Sequence, residues 1–382
     1  MRATGKIALT GLLTLGCAGA WACTSWIIHR SVSASGMMMV QKSRDSYPGT
    51  LSADIRTADG VRWIRIGTKP PYPAFAVSEK GIAAVNNDGD DLSLRHPGEA
   101  HLGIENGFML RQIVTKCDSA RQGAELLRNY GRNRIRIGRG GTFLVADAKE
   151  AFLIEIGPGY AEVMELKGGL IVISNTWHLP GGEEFSRKTV SGGSDRAREA
   201  NTRAALQKER VDGKYTPRGT LKVSRMTCGT AIKDRYPYRY DPKKKVSSLG
   251  GCCFELDPEF PAELTTMYLT MGPQQHTVCL PVPMALKQLP EKIRSGAWAA
   301  AVLEFRKRVG NDYPALSEIF AFEDRIFPEY EQTREAARKL LREGKKDEAV
   351  KLLNEGFERH FRAADELMEK IFKSGPENGK NI

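Results

Sequence analysis

The sequence lacks any apolar stretch long enough to cross a bilayer, which takes roughly 20 residues. The longest candidate, residues 7–15, falls well short of that. There is no C-x-x-C pair and no cysteine/histidine spacing of the zinc-binding kind. Asp88-Gly89-Asp90-Asp91 is acidic but falls short of a complete calcium loop, so no metal is expected. Acidic residues are in deficit, 46 Asp and Glu against 57 Lys and Arg, which gives a formal charge of +11. Yet neither Lys243-Lys244-Lys245 nor the alternating Arg132, Arg134 and Arg136 is interleaved with aromatics as a nucleic-acid platform requires. The excess therefore reads as a solvated basic surface, and no nucleic-acid partner is expected. Strands and helices do not alternate as βαβ units, which removes the doubly wound folds and leaves α+β. Only one copy of the C-terminal helical pattern is visible, so a repeat array is not indicated.

What is present begins with a leader. Arg2 and Lys6 precede the short apolar run, and Ala20-Trp21-Ala22 supplies small residues at the two positions a signal peptidase reads. Residues 1–22 are thus expected to be a signal peptide cut after Ala22, leaving an exported chain that begins at Cys23. Acylation of Cys17, as in a lipoprotein, is the competing reading. Hydrophobic residues make up 41% and charged residues 27%, as in a globular protein with a real core. Residues 23–295 are read as one domain, 296–373 as a helical segment and 374–382 as a disordered tail. Export would permit disulfides among Cys228, Cys252, Cys253 and Cys279.

Period-two alternation predicts a hairpin from Cys23 to Val40 and strands at 62–66 and 81–86. Met109, Ile113, Val114, Cys117, Ala124 and Leu127 recur at helical spacing over 103–130, which places Cys117 in a core. Four strands joined by Asp, Gly and Pro turns predict an antiparallel meander from 142 to 175. A helix is predicted from Asp195 to Arg210, two strands near 264–271 and 277–280, and a helical hairpin over 332–373 bending at Gly344-Lys345-Lys346.

Cleavage after Ala22 would place two reactive groups on one residue. A thiolate is a strong nucleophile, and an α-amino group with a reference pKa of about 7.7 to 8.0 is partly unprotonated at neutral pH and can act as its base. At this point the residues resemble a family. Cys23-Thr24-Ser25-Trp26, then a hairpin and Gln41-Lys42-Ser43-Arg44-Asp45-Ser46, is similar to the start of the cysteine N-terminal nucleophile (Ntn) hydrolases. The nearest branches are the choloylglycine hydrolases, the Cys-type dipeptidases and the acyl-CoA:6-aminopenicillanate acyltransferases. Further matches follow in order at Ser78 to Asn87, Gly141 to Gly157, Ile173 to His178, Ser194-Asp195-Arg196 and Met267 to Pro283.

The resemblance implies an α+β fold, a four-layer αββα sandwich of antiparallel sheets with a C-terminal helical appendage. It implies Cys23 as nucleophile, Asp45 steadying its α-amino group, and the backbone amide of Asn87, or of Asn86 beside it, in the oxyanion hole. Asn175 would be the side-chain oxyanion donor, and Arg196 would enter the site from the next helix. The family's cation position is filled by Lys42 or Arg44, and these two with Asn86 and Trp177 are expected to line the substrate. His29 is too far along its strand from Cys23 to serve as its base, and for His178 geometry decides. The expected activity is cleavage, or acyl transfer, of a linear carboxamide in a small-molecule amide or peptide substrate through a thioester. That chemistry needs no cofactor, and a homo-oligomer is compatible with it. The alternative is an exported envelope-binding protein on the same scaffold that has lost activity.

Overall fold

Thr24-Ser25-Trp26-Ile27-Ile28 is a run of β-branched and aromatic residues of the kind that suits a pleated surface buried on both sides. A computed structural model of the chain places it accordingly, as strand β1 (Thr24–Ile28) in the interior of a sheet, every residue buried. The structure describes residues 23–46, 49–68, 73–88, 105–133, 140–157, 159–182, 191–227, 236–238, 240–241, 246–310 and 316–374. The expected leader, Cys228, Arg134, Arg136 and the tail lie outside them.

The remaining strands are β2 (Met38–Ser46), β3 (Ser52–Ala58), β4 (Val61–Gly67), β5 (Phe75–Ser78), β6 (Ala83–Asp88), β7 (Gly141–Ala146), β8 (Ala151–Gly157), β9 (Tyr160–Glu165), β10 (Leu170–Ile173), β11 (Tyr240–Asp241), β12 (Val246–Leu256), β13 (Thr266–Met271) and β14 (Cys279–Pro283). They form two antiparallel sheets. The first has the order β10-β1-β2-β12-β13-β14, with β11 also pairing β12, and the second runs β3 to β9 in sequence order. The predicted meander is therefore half right. β7, β8 and β9 are neighbours, but β10 leaves them to pair with β1, Trp26 opposite Val172.

The two faces of the second sheet read directly from its alternation. Ile64, Ile66, Phe75, Val77, Val85, Leu144 and Leu153 join the large core shared with the first sheet. Trp63, Ala76, Ala84, Phe143, Val145, Phe152 and Ile154 face the other way and pack under helices α1 (Asn106–Lys116) and α2 (Ala120–Arg132). Sequence periodicity joined these helices into one. They are split at Cys117, because Ser119 caps the second, its Oγ accepting from the amide of Gln122 at 3.2 Å. Cys117 is buried in that smaller core, as expected.

Beyond the first sheet lie α3 (Ser191–Lys208), α4 (Pro217–Ser224), α5 (Ala297–Val309), α6 (Leu316–Arg342) and α7 (Lys346–Ser374), with a bend at Gly344 that matches the sequence expectation. The order is helices, sheet, sheet, helices, the αββα layering expected. Phe327, Phe357, Met368 and Ile371 belong to the same core cluster as the strands, so the C-terminal helices complete the domain's packing. Tyr268 on β13 packs against Phe327 at 5.3 Å and donates to Glu331 at 2.8 Å. Arg334 and Arg338 reach buried Glu255 and Asp257 at the end of β12 at 2.5 and 2.7 Å. Cys252, Cys253 and Cys279 are buried free thiols, so the disulfides that export would permit do not join them here.

The eleven-residue β12 lies at the centre of the first sheet, between β2 and β13, and was not foreseen. Its Ser-Ser-Leu-Gly-Gly segment forms a bulge, the register slipping between Ser248 opposite Asp45 and Gly250 opposite Arg44. Gly250 adopts φ +148°, and a Cβ there would sit 2.5 Å from the carbonyl oxygen of Thr270. Gly250→Ala is expected to cost about 2–4 kcal/mol of stability, read as a lowered urea midpoint with unchanged slope.

Candidate active site

Cys23 immediately precedes β1 and is fully buried. Thr24 pairs with Ser43 and Ser25 with Lys42, so one further step along the same register sets Cys23 opposite Arg44. Arg44 Nη1 lies 3.5 Å from Cys23 Sγ. Burial opposes the charge of Arg44, but the cysteine sulfur, Asp88 and Asp45 outweigh it and raise its pKa. The hairpin thus brings a fixed cation onto the sulfur.

Lys42, on the same face two residues earlier, goes elsewhere. Its Nζ donates to the main-chain oxygen of Asn86, to Asn86 Oδ1 at 3.3 Å and to the carbonyl of Ala74 at 3.3 Å, and it sits 5.4 Å from the Phe75 ring centroid. It spans the gap between the sheets and fixes the end of β6. Burial lowers its pKa to about 8 against the opposing pull of Cys23, Asp88 and Asp45. Of the two candidate cations, Arg44 is the one at the sulfur, and Lys42 is a buried strut.

Asp45 alternates to the opposite face of β2. Ser248 Oγ donates to its Oδ1, and Arg198 Nη1 lies 3.7 Å from its Oδ2. Arg198 donates to Asp195 at 2.7 Å and approaches Asn175 Oδ1 at 3.5 Å, while Asn175 Nδ2 donates to the main-chain oxygen of Asp88 at 2.7 Å. The Asp88 carboxylate in turn accepts from Asn86 at 3.1 Å and Asn106 at 2.9 Å. A continuous polar path therefore joins Asp45, Arg198, Asn175, Asp88 and Asn86. Removing Arg198 would take one cation from buried Asp45, a loss of at most the size, about 3–5 kcal/mol, typical of broken buried pairs.

Arg196 is exposed on α3, so the structure corrects that assignment: Arg198, almost fully buried, occupies the place expected of it. Residues two apart on a helix point in different directions, whereas Asp195 and Arg198, three apart, share a face. That spacing was the available signal. Asp88 was also passed over, considered as part of an acidic stretch too short for a calcium loop. Asn87 is buried, and its side chain is committed to structure, accepting from Ser25 Oγ at 2.7 Å and donating to the carbonyl of Ser174 at 2.8 Å. Trp177 packs edge-on against Tyr160 on β9, centroids 5.9 Å apart.

His178 is not bonded to Cys23. Its Nδ1 lies 3.2 Å from Glu155 Oε1 and its Nε2 3.1 Å from Glu199 Oε2. Burial would lower its pKa, but hydrogen bonds and charge from the two glutamates prevail and raise it to about 9. Among the described residues no group of three or more His, Cys, Asp or Glu is placed to hold a metal, and no helix is long and apolar enough to cross a membrane.

Lys42→Met removes the buried strut. Lys42 has a depressed folded-state pKa, so its charge is a burden on the fold below about pH 8 that disappears as pH rises toward the unfolded value of about 10.5. The variant lacks this titration, so in paired denaturation curves the parent is expected to gain stability relative to the variant between about pH 8 and 10.5.

No protein-family model matches the sequence, and no curated protein matches it. Among solved structures the chain is similar to a variant of the conjugated bile acid hydrolase from Clostridium perfringens, with TM-score 0.42, 12% identity, and coverage of 69% of this chain and 92% of that one. It is also similar to penicillin V acylase from Agrobacterium tumefaciens, with TM-score 0.38, 9% identity, and coverage of 69% and 86%. A third is the Caenorhabditis elegans ortholog of N-acylethanolamine-hydrolyzing acid amidase, with TM-score 0.41, 9% identity, and coverage of 62% and 95%.

Proposed function

We propose that this chain is an exported cysteine amidohydrolase or acyltransferase whose nucleophile is Cys23, acting once cleavage after Ala22 has freed its α-amino group. The observation that carries the reading is the guanidinium of Arg44, 3.5 Å from the Cys23 sulfur, at the head of a strand whose neighbours supply Asp45, Asn175 and Arg198.

In the proposed reaction the α-amino group of Cys23 takes the thiol proton while Arg44 balances the charge building on sulfur. Asp45, held by Ser248 and Arg198, steadies the ammonium that results. The sulfur attacks the carboxamide carbon, and the oxygen of the tetrahedral intermediate needs preorganised donors. Asn175 Nδ2 carries two hydrogens, and one is bound to the Asp88 carbonyl. The other is assigned to the oxyanion, with the backbone amide of Asn87 or Asn86 as its companion. The ammonium returns its proton to the leaving amine as the C–N bond breaks, leaving a thioester. Water hydrolyses it, or an acceptor amine takes the acyl group.

The substrate class is a linear carboxamide: a dipeptide, an N-acyl amino acid or a penicillin-type amide. The basic surface, with formal charge +11, favours substrates that carry a free carboxylate. Intact mass should show a mature chain beginning at Cys23 that iodoacetamide modifies rapidly at neutral pH. Cys23→Ala should abolish cleavage across a panel of dipeptides, N-acyl amino acids and penicillin V, and Asn175→Ala should lower kcat by about 10²–10³. A chain that begins elsewhere, or an unreactive Cys23, would favour the inactive envelope-binding scaffold instead.

A further inference from the structure

β10 ends at Ile173, and the next six residues, which contain Asn175, have no ladder to satisfy their amides. Two glutamates take up three of them, those of Ser174, His178 and Leu179. Glu199 Oε1 on α3 accepts from the Ser174 amide at 2.6 Å, from Ser174 Oγ at 3.0 Å and from Thr176 Oγ1. Glu155 on β8, fully buried, accepts from the His178 amide at 2.6 Å and the Leu179 amide at 2.9 Å. The ring of His178 closes the gap between them, one nitrogen on each carboxylate.

Thr176, His178 and Glu155 superficially resemble a hydroxyl–imidazole–carboxylate triad, since Thr176 Oγ1 lies 3.2 Å from His178 Nε2. The arrangement cannot act as one. Carboxylates accept and do not donate when ionised, so an imidazole with a carboxylate on each nitrogen must carry a proton on both. It then has no lone pair with which to take a proton from Thr176.

We propose that Glu155, His178 and Glu199 are positioning residues: a doubly protonated His178 cross-links β8 to α3 and holds the 174–179 segment so that Asn175 faces the Cys23 site. This rests on the amidohydrolase reading. The segment is gripped from the other side by Asn87, on the carbonyl of Ser174, and by Thr142, on that of Thr176 at 3.2 Å, so the clamp completes a hold on both edges of the peptide. The groups that face the imidazole are Glu155 from β8 and Glu199 from α3, and the Tyr160 hydroxyl on β9 donates to Glu155 at 3.4 Å. A raised folded-state pKa means the cross-link is fully present below about pH 6.5 and is lost as pH climbs through about 9.

The test is His178→Gln, with Glu199→Gln as a second variant should the first fail to fold, in the full mature chain. Hydrogen exchange should show protection of the Ser174 and Leu179 amides falling by about tenfold or more, while amides of β1 and β2 keep theirs. Against whichever amide the parent cleaves, kcat should drop by about 10- to 100-fold with KM nearly unchanged, because an oxyanion donor acts in the transition state. Iodoacetamide labelling of Cys23 should stay within about twofold, since the nucleophile is untouched. The parent's kcat should decline above about pH 9, a decline absent from the variant. Retained protection at the two amides overturns the proposal, and so does lost protection with kcat unchanged. If the parent cleaves no amide, the amidohydrolase reading fails, and exchange alone then decides the clamp: lost protection upholds it and retained protection overturns it.

Discussion

The side chain of Asn87, on β6 of the second sheet, is fully buried and bonded across to the first sheet, to Ser25 on β1 and to the peptide that follows β10. Everything at the site is placed relative to that tie. Ser25 is two residues from Cys23, and Ser174 is one residue from Asn175, so a single carboxamide ties the positions of Cys23 and Asn175 together. An amide buried this deeply must use its hydrogen-bonding capacity, since each unsatisfied group costs about 1–3 kcal/mol. The requirement that stabilises the sandwich is thus the one that fixes the geometry.

Around this tie the protein concentrates buried charge. Lys42, Arg44 and Arg198 are all almost wholly removed from water, and Asp45, Asp88 and Asp195 lie among them. Buried ions tolerate this only when each is paired and hydrogen-bonded. The cluster consequently holds its members in few arrangements, which suits preorganised chemistry more than it suits stability. The same logic recurs on the outer face of the first sheet, where Glu255, Asp257 and Glu323 receive Arg334, Arg338 and Arg225. There the charges join the C-terminal helices to the strands, beside the large core that those helices share with both sheets.

Much of this was legible. The strands with clean alternation, β1, β4, β7, β8 and β9, and the helical hairpin at the C-terminus stand where their patterns place them. Asp45 and Asn175 lie on one polar path, and Cys23 meets Arg44 beside it. Arg196 was not the residue that enters it, because a helix turns by about 100° per residue and only Arg198 points inward. β12 escaped notice because its first half is polar and glycine-rich, and only the crowding at Thr270 and Leu51 explains why glycine is needed inside a strand. Lys42 took the place of a site cation in the sequence pattern, but alternation along β2 cannot tell which of two basic residues on one face meets the sulfur and which the neighbouring sheet.

The sequence by itself determined the local elements, the α+β class and a cysteine at the head of the first strand, since period, turn chemistry and residue type act over a few positions. Tertiary structure alone decided that β10 crosses to the first sheet, that Arg44 and not Lys42 faces Cys23, and that Glu155, His178 and Glu199 meet. Those three residues come from a strand, the segment after another strand and a helix, and no local rule encodes their encounter. It follows from the stacking of two sheets whose inward faces must bury their apolar side chains together, carrying the polar residues at their ends into contact.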